Sequence, residues 1–151
     1  MANYNPNTHD YLKYWRVVKR FIMKKHDISL SDLEMLLFLY SEVYFGNNEF
    51  HEYERLMSWE KDRVYRMMKE GYVELFREHN HGTRTRKLYQ LTNKSKKIVR
   101  ELYKTLDKNE FKWVEKAVPP KYKRRHKDLI YRDYMHKINE ETRRQRHLSP
   151  E

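Results

Sequence analysis

Apolar side chains recur at intervals of three or four residues through most of the chain, a spacing that predicts amphipathic helices. The first helix is expected to start after Asn7 or Thr8. Its apolar stripe consists of Tyr11, Leu12, Trp15, Val18, Phe21 and Ile22. The second helix, capped by Ser29 or Ser31, is apolar around nearly its whole circumference, and Gly46-Asn47-Asn48 ends it. We therefore expect this second helix to be central and buried on most sides.

Two shorter helices are predicted between the buried helix and residue 71. The first covers Glu49–Met57. Its inward positions are Phe50, Tyr53, Leu56 and Met57. Ser58 is expected to cap the second, because a serine side chain can accept a hydrogen bond from a backbone N–H of the first turn. Val64, Met67 and Met68 give that helix its apolar side, and Gly71 closes it in the left-handed conformation common at helix ends.

Alternation of apolar and polar residues then predicts a β-hairpin. Its strands are Tyr72–His79 and Lys87–Thr92. The segment Asn80-His81-Gly82-Thr83 between them has the composition of a turn, in which glycine supplies a positive φ.

A long helix is predicted after the hairpin, from a cap at Thr92 or Asn93 to about Lys116. Its stripe consists of Ile98, Val99, Leu102, Leu106, Phe111 and Trp113. Pro119-Pro120 breaks the chain, and a last amphipathic helix follows. The stripe of that helix is Ile130, Tyr134 and Ile138, flanked by Tyr131 and Met135. The expected fold is mainly α with a small β-hairpin, divided into residues 1–118 and a basic C-terminal helix and tail at 119–151.

Composition adds a strong positive charge to this helical chain. Of its 151 residues, 33 are Lys or Arg and 22 are Asp or Glu, so the formal net charge is +11. Such a balance indicates an anionic partner: nucleic acid, an anionic membrane face or an acidic protein. A membrane is disfavoured, because the longest apolar run, MLLFLY at 35–40, is far too short to span a bilayer.

Other function classes lack support in the sequence. The start, MANYNPNTHDY, does not have the layout of a signal peptide, so a cytoplasmic protein is expected. The chain has 0 Cys, which excludes disulfides and Cys-ligated zinc. His79 and His81 lie in a turn without a third ligand, which argues against a metal site. No phosphate loop, nucleophile elbow, HExxH or paired-carboxylate motif occurs, so neither an enzyme nor a cofactor is predicted.

The hairpin and the start of the next helix form a strongly basic stretch. From His79 to Arg100 the chain has seven Lys or Arg and no Asp or Glu. Such a hairpin could reach into a minor groove or along phosphates, whereas the plainer interpretation is a solvated tip where charges collect. Lys94, Lys96 and Lys97 oppose the dipole of the helix that they begin, which favours an anion outside.

The helix before the hairpin offers donors suited to guanine edges and phosphates, and it is the predicted recognition helix. The residues expected to contact double-stranded DNA are Ser58, Lys61, Asp62, Arg63, Tyr65, Arg66, Lys69, His81, Thr83, Arg84, Thr85, Arg86, Lys87, Lys94, Lys96 and Lys97. A second basic run, KYKRRHK at 121–127, is interpreted foremost as a solvated linker. A second DNA contact and a nuclear-import-like patch are the alternatives.

The order of predicted elements resembles that of the MarR family of dimeric winged-helix transcription regulators. RMMKEGYVE at Arg66–Glu74 is similar to the end of that family's recognition helix and its first wing strand, and LTNKSKK at Leu91–Lys97 is similar to the start of its fifth helix. The resemblance implies a homodimer built from the first and last helices, with residues 119–151 in the dimerisation lobe, on an inverted-repeat DNA site. It also implies a small-molecule effector pocket, for which nothing in the chain names a ligand.

Two other functions remain open beside that of a sequence-specific regulator. An architectural protein that binds DNA regardless of sequence would have the same high positive charge and basic tail. A winged-helix interaction module would instead dock on an acidic protein. Charge alone does not separate these alternatives.

Overall fold

The computed structural model describes residues 10–148, apart from the side chains of Lys61 and His81. These residues are mainly helical with a small three-stranded antiparallel sheet, as the expected fold class requires. The helices are α1 (Tyr11–His26), α2 (Leu30–Glu42), α3 (Asn47–Met57), α4 (Lys61–Lys69), α5 (Asn93–Lys108) and α6 (His126–Leu148). The strands are β1 (Phe45–Gly46), β2 (Val73–His81) and β3 (Arg84–Leu91), and single 3-10 turns cover Val114–Ala117 and Lys121–Lys123. None of the described helices is long and apolar enough to cross a membrane.

The chain divides into two compact units, which we call the central unit (Ser31–Val99) and the terminal unit (Met1–Leu30 with Arg100–Glu151). The division expected at residue 118 falls inside the terminal unit. The expected helix start at Asn7 or Thr8 lies outside the described residues. α1 begins at Tyr11, and the Asp10 carboxylate accepts a hydrogen bond from the third residue of the helix.

α2 is buried on most sides, as its apolar circumference predicts. Its fully buried positions are Leu33, Met35, Leu36 and Leu39, each at most 1% exposed. On another side, the ring of Phe38 contacts those of Tyr53 and Trp59 edge-on, with centroids 4.8 and 5.2 Å apart. Edge-to-face pairs of this kind add to the stabilisation that burial supplies.

A short strand follows α2, which ends at Glu42 rather than at Gly46. Phe45 and Gly46 form β1, antiparallel to β3, with Phe45 opposite Tyr89. Phe45 is fully buried, and a Cβ on Gly46 would lie 3.1 Å from the Lys87 carbonyl oxygen. The close approach of β3 therefore favours glycine here. Two residues are too few for alternation to reveal a strand, so the sequence pattern missed it.

The helix cap predicted at Ser58 is wrong. Ser58 ends α3 with a left-handed φ of 56°, and α4 starts only at Lys61, where Glu60 makes no side-chain cap hydrogen bond. Trp59 lies between the helices with its ring half-buried against other aromatic side chains, which keeps this stretch out of either helix. Leu56, expected to point inward, is 66% exposed.

The hairpin is longer than predicted and carries a bulge. β3 starts at Arg84 rather than Lys87, so only Gly82-Thr83 remains as the turn, with Gly82 at a φ of 60°. In β2 the register shifts between Leu75 and Arg77, and Phe76 is the extra residue. The bulge reverses the phase of the alternation, so residues 77–80 lie on the opposite face from the one that a regular strand would give them.

In the terminal unit, α1 buries its C-terminal half and exposes its first turn. Val17, Val18, Phe21 and Ile22 are at most 3% exposed. By contrast, Tyr11 and Leu12, which were expected in the same stripe, are 46% and 86% exposed. The Tyr11 hydroxyl donates a hydrogen bond to the Asp107 carboxylate of α5 at 3.2 Å, so Leu12 is the more exposed residue of this turn.

α5 ends at Lys108 rather than near Lys116 because α6 holds the chain in another direction. The side chain of Asn139 accepts a hydrogen bond from the Phe111 backbone N–H at 2.7 Å and donates one to the Phe111 carbonyl at 2.9 Å. Asn109 takes a positive φ of 52°, and its carbonyl accepts a hydrogen bond from Thr142. These contacts satisfy the backbone groups that a continued helix would have paired.

The buried stripe of α6 differs from the predicted one. Met135 and Ile138 are buried, together with the charged residue Asp128. Ile130 and Tyr134, the other expected positions, are 54% and 40% exposed. The helix is thus rotated relative to its apolar pattern, and a carboxylate occupies one of the inward positions.

Candidate nucleic-acid interface

The register of the hairpin sorts its charged side chains onto two faces. Side chains alternate along a strand and share a face with the residue directly opposite. Arg84 and Arg86 therefore share one face of β3, and His79 lies opposite Arg86 on that face. Arg77, opposite Leu88, belongs to the same side. We call Arg77, His79, Arg84 and Arg86 the basic face of the hairpin.

The opposite face is more nearly neutral. Thr85 and Lys87 lie there, in line with the buried residues that follow in β3, and Glu78 is directly opposite Lys87. The Thr85 hydroxyl donates a hydrogen bond to the Asn80 side chain at 3.0 Å. The stretch from His79 to Arg100 lacks acids in sequence, but the pairing with β2 brings a carboxylate beside Lys87. Arg77 was not among the predicted contacts, and the bulge places it on the basic face.

Arg66, predicted as a DNA contact, is already bound within the central unit. Its guanidinium donates to both carboxylate oxygens of Asp32, at 2.7 and 3.0 Å, and contacts Glu70 at 3.2 Å. Asp32 is 4% exposed, so this bidentate pair compensates a buried charge. The hydrogen bond with Asp32 raises the pKa of Arg66, against the smaller effect of desolvation, so the side chain stays charged.

The exposed side of α4 consists of other residues. Asp62, Tyr65 and Lys69 are exposed at spacings of three and four residues, so they form one stripe, which we call the outer stripe of α4. Tyr65 is 57% exposed. Arg63 is half-buried at the edge of this stripe. The side chain of Lys61, like that of His81 in the hairpin, lies outside the described part of the chain.

The start of α5 is built around backbone groups of the preceding turn. The Thr92 hydroxyl donates to the Gly71 carbonyl and the buried Ser95 hydroxyl to the Tyr72 carbonyl, both at 2.7 Å. The Lys94 ammonium donates to the Glu70 carbonyl at 3.3 Å and lies 4.3 Å from the centre of the Tyr72 ring. Lys94, one of the predicted DNA contacts, therefore binds a backbone carbonyl at the end of α4. Gly71, with a φ of 82°, allows this turn, as predicted.

The remaining predicted contacts are exposed to different extents. Lys97 is exposed and Lys96 half-buried on the first turns of α5, while Thr83 lies in the hairpin turn and Ser58 between α3 and α4. Every predicted contact residue belongs to the central unit. Within the described residues, no group of three or more His, Cys, Asp or Glu side chains could hold a metal ion.

The side chain of Glu49, a residue of α3, occupies the N-terminus of that helix, so this end is not open to a ligand. The Glu49 carboxylate accepts a hydrogen bond from the Gly46 backbone N–H at 3.0 Å. A shallow depression of about 350 Å³ lies beside it, lined by residues 46–49 and by residues 84–87 of β3. The carboxylate there reduces the attraction of this depression for an anion.

Comparisons with protein-family models, with curated proteins and with solved structures find no match to this chain.

Proposed function

We propose that the central unit is a winged helix-turn-helix domain that binds double-stranded DNA, with α4 in the major groove and the hairpin as the wing. The order of elements supports this proposal: a helix, a short strand, two helices and a hairpin, with the short strand paired to the last strand of the hairpin. On this proposal the chain is a non-enzymatic DNA-binding protein, and its order of elements resembles that of the MarR regulators.

The basic face of the hairpin is the observation that carries the proposal. Three arginines and a histidine lie on one side of an exposed two-stranded ribbon. Glu74, before the bulge, is on the same side and accepts a hydrogen bond from Gln90, whereas Glu78 is on the other side. Arginine binds phosphate through paired N–H groups and enters narrow minor grooves. A ribbon with this distribution suits contacts along a DNA backbone or in its minor groove.

α4 supplies a different kind of contact. Because Arg66 is committed to Asp32, the groups left for base edges and phosphates are those of the outer stripe, with Arg63 beside it. Lys69 suits a guanine edge or a phosphate, and Asp62 suits a cytosine amino group. The packing of Val64 and Met67 against the core holds this stripe outward.

The proposed regulator acts as a homodimer on an inverted repeat. This part rests on the MarR resemblance and on the exposed Leu12 in the first turn of α1, which a partner subunit would cover. Two copies of α4 would then meet half-sites about one helical turn apart. No residue of the chain identifies an effector.

Charge-matched variants test the wing. Arg84→Gln with Arg86→Gln removes two positive charges from the basic face, and Arg143→Gln with Arg144→Gln removes two from exposed positions of α6. We expect the first pair to weaken duplex binding and to lower the slope of log affinity against log salt by about two units, and the second pair to change it much less. Equal behaviour of the two pairs would remove the hairpin from the interface.

Selection from a random duplex library at about 150 mM salt, near physiological ionic strength, separates the regulator from its rivals. Enrichment of an inverted repeat supports the sequence-specific homodimer. Uniform retention supports an architectural protein, and no retention supports the module that docks on an acidic protein.

A further inference from the structure

A second concentration of positive charge lies in the terminal unit. An open cleft of about 800 Å³ is bordered by α1, by the segment 116–120 and by the start of α6. We call it the basic cleft. Its positively charged side chains are Arg20, Lys24, Lys116, Lys123, Arg125 and Lys127. Two carboxylates, Asp27 and Asp128, also line it, so four positive charges are in excess.

The segment before α6, which carries Lys123 and Arg125, is held in place. The Arg124 side chain donates to the Pro119 carbonyl at 2.7 Å, which closes the turn after the Pro119-Pro120 break. Residues 121–123 form a 3-10 turn, and the Arg125 backbone N–H donates to the Asp128 carboxylate at 2.9 Å. The basic run KYKRRHK, interpreted foremost as a solvated linker, is thus an ordered wall of the cleft.

One of the two carboxylates is already neutralised. Asp128 is 6% exposed and accepts a hydrogen bond from Arg20 at 2.6 Å. Burial alone would raise the pKa of Asp128, but hydrogen bonds from the Arg125 backbone and Arg20, and the charges of Arg20 and Lys24, lower it. The guanidinium of Arg20 also stacks on the Tyr131 ring, 4.5 Å from its centre. Because Asp128 is paired with Arg20, Asp27 is the other lining carboxylate that balances the remaining positive charges.

Several positively charged side chains therefore line the rim of the cleft, and a bound anion would reduce the repulsion between them. Lys24, Lys116, Lys123 and Lys127 line this same open space. Val118 and the two prolines add an apolar wall. The volume lies in the range of small-molecule sites, which is about 300–1,000 Å³.

We infer that the basic cleft binds closely spaced phosphate groups. Two sources share this chemistry: a small ligand with a polyphosphate chain, and consecutive phosphates of a nucleic-acid strand. The inference does not rest on the proposed DNA-binding function, because the cleft contains no residue of α4 or of the hairpin.

Calorimetric titration of the full chain with inorganic tripolyphosphate tests this site. The cleft variant combines Lys24→Gln, Lys123→Gln and Lys127→Gln, and the matched control combines Lys137→Gln, Arg143→Gln and Arg144→Gln on exposed positions of α6. These changes spare Arg20 and Asp128, whose pairing supports the fold, and thermal unfolding of both variants checks that it persists. We expect one tripolyphosphate per chain, affinity lowered about tenfold or more in the cleft variant, equivalent to about 1.4 kcal/mol, and lowered less than about twofold in the control.

A competition experiment identifies the source of the phosphates. If tripolyphosphate displaces duplex DNA and the cleft variant has a smaller salt slope for DNA, the cleft holds the nucleic-acid backbone. If DNA binding is unaffected in both respects, the ligand is a small polyphosphate. Absence of tripolyphosphate binding by the wild type, or an equal loss in the cleft and control variants, would overturn the site. Such a result would leave the hairpin variants to decide the proposed DNA-binding function separately.

Discussion

Single charged residues support the positions of whole elements in this protein. The pair between Asp32 on α2 and Arg66 on α4 places a carboxylate that is 4% exposed beside two guanidinium N–H groups. From the sequence, Arg66 was predicted as a DNA contact. Its partnership with Asp32 depends on a separation of 34 residues along the chain, which no local pattern encodes.

Replacement of Arg66 measures what this pair contributes to stability. Arg66→Met leaves the Asp32 carboxylate buried without its main partner, so the free energy of unfolding should fall. Because the Arg66 side chain is itself 46% exposed, we expect a loss of about 1–2 kcal/mol rather than that of a fully buried pair. Lys69→Met, one turn further along the exposed side of α4, is the control and should change stability by less than about 0.5 kcal/mol in urea denaturation.

The buried Asp128 predicts how stability depends on pH. Its pKa is lowered in the folded protein, because hydrogen bonds from the Arg125 backbone and Arg20 outweigh the opposing effect of burial. Its contribution is therefore fully present above the ordinary pKa of 3.8 and is lost as the pH falls through the lowered value. We expect Asp128→Asn to be less stable than the wild type at neutral pH, with the difference shrinking below about pH 4. A difference that stays constant with pH would contradict this account.

At the scale of elements, the β-bulge decides the chemistry of the hairpin. Alternation in the sequence identified both strands, but the extra residue Phe76 shifts the register. Its ring stacks on that of Tyr44, with centroids 4.4 Å apart, a contact that strand periodicity does not predict. With the shifted register, three arginines lie on one face of the hairpin. The sequence alone showed only a run of positively charged residues.

Two adjacent residues in β3 test this division into faces. Arg86→Gln and Lys87→Gln each remove one positive charge, but Arg86 lies on the basic face and Lys87 lies opposite Glu78. We expect Arg86→Gln to lower the salt slope of duplex binding by about one unit and Lys87→Gln to lower it clearly less. Fluorescence anisotropy with a labelled duplex at several salt concentrations provides the comparison. A larger effect of Lys87→Gln would assign the DNA-contacting side to the other face.

At the scale of the whole molecule, the positive charge is distributed over two units. The hairpin and α4 belong to the central unit, and the basic cleft belongs to the terminal unit. The terminal unit combines segments from both ends of the chain, so its core forms only from residues far apart in sequence. The boundary at the proline pair was expected from the amino-acid composition of that segment. The division into two units instead reflects which helices pack together.

The proposed dimer predicts a specific change in mass. Leu12, 86% exposed in the first turn of α1, would be covered by the partner subunit, and burial of a leucine contributes about 1.5–3 kcal/mol. We expect sedimentation at micromolar concentration to show a dimer for the wild type and a monomer for Leu12→Glu. Leu56→Glu, at a position 66% exposed in the central unit, should remain dimeric. A monomeric wild type would contradict the homodimer but leave the hairpin's DNA contacts to be tested separately.

Local periodicity was sufficient to predict the helical class, the buried α2, the hairpin and the glycine that ends α4. These features depend on the spacing of apolar side chains and on backbone preferences within a few residues. The end of α5 at Lys108, the two-residue strand β1, the bulge at Phe76 and the partners of Arg66 and Asp128 were decided only in the tertiary structure. The end of α5, the strand β1 and the two ion pairs satisfy buried polar groups or fill core positions through residues distant in sequence. The bulge is accompanied by stacking of Phe76 on Tyr44, which is also distant in sequence. Such pairings depend on which elements pack together, and that information exists only once the chain has folded.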